Sequence, residues 1–119
     1  MKRRRLLVLA PALAAPTSRA KPPPDEQARI DRLIRALGQR TDAVFIRNGK
    51  AYSCAQAAAF LQGKMKWHID KLSSVHEFIE QVGTRSDASG KPYHFRLADG
   101  RVVPSADFLR QELAKLDRR

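Results

Sequence analysis

The chain has 119 residues, of which 23 are basic and 12 acidic, and its formal net charge is +11 at pH 7. This length fits one domain with one hydrophobic core. Its single cysteine excludes an internal disulfide, so side-chain packing must supply the stability of the fold.

The first twenty residues predict export from the cytoplasm. Lys2–Arg5 form a cationic start, Leu6–Ala15 form an apolar run, and Ser18–Ala20 places small residues where a signal peptidase cuts. The apolar run is too short to cross a bilayer, which needs about 20 apolar residues. We therefore expect cleavage after Ala20 and a periplasmic protein that begins at Lys21 and has no membrane span.

Cleavage would also change the charge of the chain. The removed segment carries five of the 23 basic residues and no acidic residue, so 18 basic residues would remain against 12 acidic ones, and the net charge would fall from +11 to +6. A charge of this size favours solubility and weak attraction to anionic partners. It does not indicate specific binding to nucleic acid.

The first half of the remaining chain predicts a helix, a hairpin and a second helix. After a proline-rich lead-in over residues 21–24, Asp25 is expected to cap a helix over Glu26–Leu37 that ends at Gly38. Asn48-Gly49 between two short apolar runs predicts a hairpin, because both turn residues tolerate a positive φ. The expected buried positions of this helix are Ile30, Leu33, Ile34 and Leu37.

The second helix is expected to begin after Ser53, which forms a capping box with Gln56, and to end between His68 and Leu72. Its small alanines indicate close approach to a neighbouring element. The expected buried positions are Ala57, Ala58, Leu61, Met65 and Ile69.

The second half predicts a short helix, a loop, a second hairpin and a final helix. Ser74 and Glu77 form a second capping box, and the short helix stops at Gly83. After the turn-forming residues 86–92, Tyr93–Leu97 alternates as a strand, with residues 93, 95 and 97 on one face. A three-residue turn, Ala98–Gly100, leads to a strand over Arg101–Val103 that Pro104 ends. Ser105 is then expected to cap a helix that buries Phe108, Leu109, Leu113 and Leu116.

The order α-ββ-α-α-ββ-α predicts a single α+β domain over residues 25–119. The simplest packing joins the two antiparallel hairpins in one sheet, with about four helices covering one face. The two hairpin-helix halves also resemble each other. A duplication would explain this, and so would similar turn and cap chemistry at two independent places.

Several motifs resemble the YfeK-like family of small exported bacterial proteins, to which no function is assigned. The motifs follow one another in the same order over nearly all of the chain after residue 20. The resemblance implies a periplasmic location and a one-domain fold, and it implies no catalytic residues. The sequence departs from the family at Arg85, Asp87 and Ala88, where serine and a bulkier apolar residue are usual. The matching motifs are Phe45-x-Arg47-Asn48-Gly49, Ser53-Cys54, Phe78-Ile79 and Ser89-Gly90-Lys91-Pro92-Tyr93.

Common catalytic and metal-binding templates are absent from the sequence. Ser89-Gly90-Lys91 is not a phosphate-binding loop, because Arg85 and Pro92 stand where that loop needs Gly and Ser or Thr. No Gly-x-Ser-x-Gly nucleophile motif occurs. Glu77 and Glu80 are typical of a solvated pair. The histidines that lack a metal-ligand spacing are His68, His76 and His94. We expect neither a metal nor a cofactor.

Cys54 is the sharpest catalytic candidate. It lies just inside a predicted helix N-terminus, where N–H groups and the helix dipole stabilise a thiolate, and a histidine could act as its base. The alternative is a structural thiol, because Cys54 falls on the same side as Ala57 and Leu61 and free cysteine is among the most buried residue types. The sequence favours the structural interpretation.

Two surfaces are candidates for binding a ligand or partner. The first is the sheet face away from the helices, where Arg47 and Arg96 could hold an anion together with His94, Lys50 and Arg101. The second is the loop that contains Ser86, Ser89, Gly90 and Lys91, whose backbone N–H groups could form an anion-binding nest. The alternatives are an ordinary solvated sheet face and a loop that only connects two elements.

The sequence therefore favours a non-enzymatic, exported binding or accessory domain whose partner is a periplasmic protein or an anionic ligand. A cysteine-dependent periplasmic enzyme or redox partner that uses Cys54 is the alternative. An anion-binding module is the third hypothesis.

Overall fold

The structure is a computed structural model that describes residues 21–118, so the predicted signal peptide and its cleavage site lie outside the described residues. The predicted order of elements is confirmed. A short 3₁₀ turn over Ile69–Lys71 follows the second helix. The elements are α1 (Pro24–Gly38), β1 (Val44–Arg47), β2 (Lys50–Ser53), α2 (Cys54–His68), α3 (Val75–Gln81), β3 (His94–Arg96), β4 (Val102–Pro104) and α4 (Ser105–Asp117).

The two hairpins form one antiparallel sheet in the order β2-β1-β3-β4, as predicted. The first strand of each hairpin is central, and the hairpins join where Phe45 of β1 lies opposite Phe95 of β3. Because side chains alternate along a strand, the register places Phe45, Tyr52, Phe95 and Val103 on one face. α2 packs against the first hairpin and α4 against the second.

Aromatic rings form the centre of the core. Phe45 and Phe95 are fully buried with ring centroids 5.1 Å apart, and Phe95 stacks on Phe108 of α4 with centroids 4.0 Å apart. Tyr93 packs edge-on against Phe45 at 5.2 Å. Burying each such side chain stabilises the fold by about 1.5–3 kcal/mol. These rings connect both hairpins to the helical layer.

The predicted apolar stripes of the helices face this core. The four predicted residues of α1 are buried, and α4 buries Phe108, Leu109 and Leu113 while Leu116 is partly buried. On α2 the predicted residues are buried up to Met65. Ile69 is only partly buried, because the α-helix ends at His68 and the chain tightens into the 3₁₀ turn.

α1 and α2 approach each other closely where small side chains meet. A Cβ atom at Gly38 would lie 3.2 Å from the Cβ of Ala58, which is tighter than ordinary van der Waals contact. The small alanines of α2 therefore fit the close approach that the sequence predicted.

Two details of the helix starts were predicted wrongly. α1 begins at Pro24, and Asp25 lies in its first turn instead of capping it, because proline is already suited to the first helical position. The helix ends at Gly38, as predicted. Ser105 is the first residue of α4 after Pro104, and its buried hydroxyl has no hydrogen-bond partner in the described chain, so it is not a cap.

α2 and α3 begin at the predicted caps. Ser53 and Gln56 form the predicted capping box. The Ser74 hydroxyl accepts from the Glu77 amide to cap α3, which is one of the two bonds of the second predicted box. The Glu77 carboxylate accepts bonds from the amide and hydroxyl of Ser73. In the second hairpin, β3 has three residues and is shorter than predicted, whereas β4 has the predicted length but includes Pro104 as its last residue.

We expect Gly49→Val to destabilise the protein by more than about 1 kcal/mol. Asn48 and Gly49 have φ values of 50° and 80°, as the predicted hairpin turn requires. No atom lies within 4 Å of a Cβ built at Gly49, so the loss would come from backbone strain and not from a clash. Urea unfolding followed by circular dichroism measures it. Gly49→Asn is the control and should cost much less, whereas equal stability of all three proteins would contradict the prediction.

Candidate functional site

A groove of about 530 Å³ lies where α2 meets the β1–β2 turn and the loop over residues 84–92, which we call the 84–92 loop. We call this cavity the α2–loop groove. Its charged and aromatic lining residues come from β1, α2, the loop and the residue before β3. They are Arg47, Phe60, Lys64, Trp67, Asp87 and Tyr93.

Lys64 attaches the 84–92 loop to α2. The residue is only 8% exposed, and its Nζ donates to the Arg85 carbonyl at 2.7 Å and to the Tyr93 hydroxyl at 3.0 Å. The Asp87 carboxylate lies 3.5 Å from the same Nζ. Burial lowers the pKa of the Lys64 ammonium, and the neighbouring Asp87 carboxylate opposes that effect. The three acceptors around Nζ use the hydrogen-bonding capacity of this ammonium within the fold.

Asp87 is the one carboxylate that lines the α2–loop groove in the described chain, and two neighbours compensate its charge. Its Oδ2 lies 2.9 Å from Nε2 of His68, and its Oδ1 lies beside Lys64. The hydrogen bond with His68 and then the charge of Lys64 hold the pKa of Asp87 below its usual value. The groove therefore keeps little uncompensated negative charge.

The Arg47 guanidinium lies over two aromatic rings at one side of the groove. Its guanidinium carbon is 4.3 Å from the centroid of Phe60 and 5.5 Å from that of Tyr52, which are cation–π distances. Its Nη1 donates to the Tyr52 hydroxyl at 3.3 Å. The guanidinium thus contacts two rings, and Arg47 also lines the groove.

Trp67 is the only tryptophan of the chain, and 87% of it is exposed. It lies near the end of α2 and lines the groove together with Phe60 and Lys64. Tryptophan is usually well buried in a folded monomer. An almost fully exposed indole beside a cavity is therefore a departure from ordinary packing.

The 84–92 loop is ordered by its own hydrogen bonds. The Ser89 amide donates to Ser86 Oγ at 3.2 Å, the Gly90 amide to the Ser86 carbonyl at 2.9 Å, and the Lys91 amide to Ser89 Oγ at 3.2 Å. Ser89 Oγ in turn donates to Asn48 Oδ1 at 2.7 Å, which connects the loop to the first hairpin. The amides that an anion nest would use are thus occupied by the loop's own oxygens, and the structure does not form the predicted nest.

The structure separates the six residues that the sequence proposed for binding. Arg47 and Ser86 both line the α2–loop groove. Arg47 lies two residues from Phe45 and therefore shares the inner face of the sheet. Arg96 lies next to Phe95, which is also on the inner face, so Arg96 faces the opposite side. The predicted pairing of these two arginines is therefore wrong. The other three residues, Ser89, Gly90 and Lys91, are exposed on the loop.

Cys54 is a core residue. It is 1% exposed, and its Sγ donates to the Ala43 carbonyl at 3.3 Å. Burial raises the pKa of the thiol, and the nearby Arg40 only partly opposes this. The charged groups that act on the thiol are Arg40, Asp42 and Glu112, none of which is a histidine base. This environment favours the protonated, unreactive form.

We expect Cys54 to react slowly with an alkylating reagent at neutral pH while the protein is folded. The burial and the raised pKa both reduce the population of accessible thiolate. Mass spectrometry after timed labelling measures the rate, and unfolding in denaturant should increase it to that of a free thiol. Fast labelling of the folded protein would support the cysteine-dependent alternative instead.

The histidines lie apart in the fold. His68 contacts Asp87, His76 is exposed on α3, and His94 lies on the outer sheet face. Among residues 21–118, no group of three or more histidine, cysteine or acidic side chains is arranged to hold a metal ion. Within the same range, no helix has the length and apolarity needed to cross a membrane.

Three residues of the groove were missed by sequence reasoning. The burial of Lys64 could have been predicted from the sequence. Lys64 lies seven residues after Ala57 and three after Leu61, which places a cation on the buried stripe of α2. Phe60 and Trp67 had no such signal. Only the position of the 84–92 loop in space makes them walls of a cavity.

Comparison with known proteins identifies the family. Residues 24–117 match DUF5329, described as a family of unknown function. The chain belongs to the DUF5329 family. It is also similar to the uncharacterized protein YfeK of Salmonella typhimurium, with 37% identity over 68 residues. That match covers 57% of this chain and 57% of the Salmonella protein. The YfeK-like resemblance is thus confirmed, and no solved structure matches the chain significantly.

Proposed function

We propose that this member of the DUF5329 family is a small, exported, non-enzymatic binding domain that acts in the periplasm through the α2–loop groove. The amino-terminal sequence supports export, because it has the order of a secretory signal peptide. The buried Cys54 thiol offers no support for the cysteine-dependent alternative.

The exposed indole of Trp67 is the observation that carries this proposal. Covering an exposed indole with a binding partner removes apolar surface from water, which is favourable. Here it lines the same groove as Arg47, whose guanidinium lies over the Phe60 ring, and as the buried Tyr93. Tryptophan, tyrosine and arginine are the residues that dominate binding energy at protein interfaces. The groove therefore has the composition of a binding site on a rigid scaffold.

A photocrosslinking experiment tests this proposal. The full-length protein is expressed with benzoylphenylalanine in place of Trp67, and a matched variant carries it in place of Arg96 on the outer sheet face. Both positions are exposed, so both variants should fold. We expect a covalent adduct from position 67 and none from position 96. Adducts from position 96 only, or none from position 67, would count against the groove.

Cell fractionation tests the location. We expect the protein in the periplasmic fraction with Lys21 as its first residue. Recovery of periplasmic protein that retains Met1, or of protein confined to the cytoplasm, would contradict export.

A further inference from the structure

We propose that the α2–loop groove binds an acidic peptide segment of a partner protein. A carboxylate of the segment would bind the Arg47 guanidinium, and a neighbouring apolar side chain would cover Trp67 and Phe60. This inference rests on the proposed function of the groove as a binding site and adds the chemical class of its partner.

Arg47 has no counter-ion among the described residues. Three arginines of the described chain are half-buried, and two of them have carboxylate partners: Arg29 with Glu26, and Arg40 with Glu112. Arg47 forms no ion pair with any carboxylate of residues 21–118, and its one polar partner there is the Tyr52 hydroxyl. A partly desolvated charge without an opposite charge is unfavourable. A carboxylate from outside would remove that penalty.

The free N–H donors of the Arg47 guanidinium suit a carboxylate. A guanidinium has five N–H donors in a rigid fork, and the bond to Tyr52 uses only one of them. The contact with the Phe60 ring, 4.3 Å from the guanidinium carbon to the ring centroid, restricts the side chain before any ligand arrives. Because little side-chain freedom remains to be lost, a bidentate bond to a carboxylate should form at low entropic cost.

The other charged residues of the groove are paired within the fold. Lys64 and Asp87 form an ion pair, and Lys64 also donates to the Arg85 carbonyl and the Tyr93 hydroxyl. Tyr93 is only 1% exposed. The uncompensated positive charge of the groove is therefore that of Arg47, which selects an acceptor-rich, negatively charged ligand.

The volume and the aromatic lining of the groove favour a peptide over a small anion. A volume of about 530 Å³ is much more than one carboxylate fills and is in the range of ligand-sized pockets. A second cavity of about 210 Å³, bordered by Phe45, Tyr52 and Gln56, shares Arg47 and Phe60 with the groove. A peptide over Arg47 can therefore place apolar side chains near Trp67 and toward this second cavity.

A peptide selection tests the proposal. A phage library of random dodecapeptides is selected on the folded protein, and synthetic peptides from the enriched sequences are titrated against it. We expect enrichment of Asp or Glu next to an apolar residue. Since Trp67 is the only tryptophan, its fluorescence reports binding directly when the peptides contain none.

Matched variants locate the interaction. Arg47→Gln in the protein, and Glu→Gln or Asp→Asn in the peptide, should each weaken binding about tenfold or more, because each breaks a charge-assisted bond. The two changes together should cost little more than either one. Arg96→Gln removes the same charge elsewhere and should change affinity by less than about twofold. Arg47→Lys keeps the charge without the fork and should bind between the two, and circular dichroism checks that each variant is folded.

Several results would overturn the proposal. One is a selection that returns no binding peptides, or peptides without acidic enrichment. Another is a Trp67 response to inorganic phosphate or phosphatidylglycerol vesicles that depends on Arg47 while acidic peptides give none. If neutral peptides still change Trp67 fluorescence, the groove remains a binding site and only its acidic preference fails. If crosslinking from position 67 also fails, the proposed function fails with it.

Discussion

Phe95→Ala should lower the free energy of unfolding by about 3–5 kcal/mol, the range measured for large aromatic truncations in protein cores. Phe95 is fully buried in a central strand, stacks on Phe108 at 4.0 Å and contacts Phe45 at 5.1 Å. Its removal would leave a cavity where the two hairpins and α4 meet. Because sheet and helices share this ring, the surroundings can collapse only partly.

Urea denaturation followed by far-ultraviolet circular dichroism measures this loss. Trp67 is a poor reporter of it, since the indole is already exposed in the folded state. Val102→Ala is the matched control, because Val102 is 53% exposed at the neighbouring strand and should change stability by less than about 0.5 kcal/mol. A loss at position 95 no larger than that at position 102 would contradict the packing described above.

Lys64→Met should destabilise the protein by about 1–3 kcal/mol, because it leaves the Arg85 carbonyl and the Tyr93 hydroxyl without their donor. Methionine keeps most of the volume, so the loss reports the hydrogen bonds and not a cavity. Amide hydrogen exchange should also become faster in the 84–92 loop than elsewhere. Lys66→Met at the exposed position two residues away is the control. Unchanged exchange in the loop would show that Lys64 does not hold it in place.

We expect the effect of Lys64→Met on the free energy of unfolding to depend on pH. Burial lowers the pKa of Lys64 in the folded protein below 10.5, so between the two pKa values the unfolded chain binds more protons. The free energy of unfolding contributed by this group therefore rises with pH in that window. The stability difference between the natural protein and Lys64→Met should therefore increase as the pH rises toward 10.5. A difference that decreases over this range would contradict the lowered pKa.

Much of the fold could be predicted because its signals are local. Short stretches of sequence are enough to predict a turn, a capping box or an apolar stripe. Examples are the Asn48-Gly49 turn and the capping box of Ser53 and Gln56. The error at the start of α1 has a local cause. Pro24 suits the first helical position, so the helix begins one residue before Asp25 and leaves no cap position for it. Arg47 was misplaced although alternation from Phe45 already put it on the inner face.

The sequence by itself determined the family motifs, the order of elements, the positions of both hairpin turns and most of the core. Only the tertiary structure decided that a groove exists. Its walls come from distant parts of the chain, as the Lys64 bond to the Arg85 carbonyl and the Ser89 bond to Asn48 show. Contacts of this kind depend on how helices pack on the sheet, which is set by the sum of all core contacts and by no local pattern. For the same reason the missing counter-ion of Arg47 became visible only when every neighbour was in place.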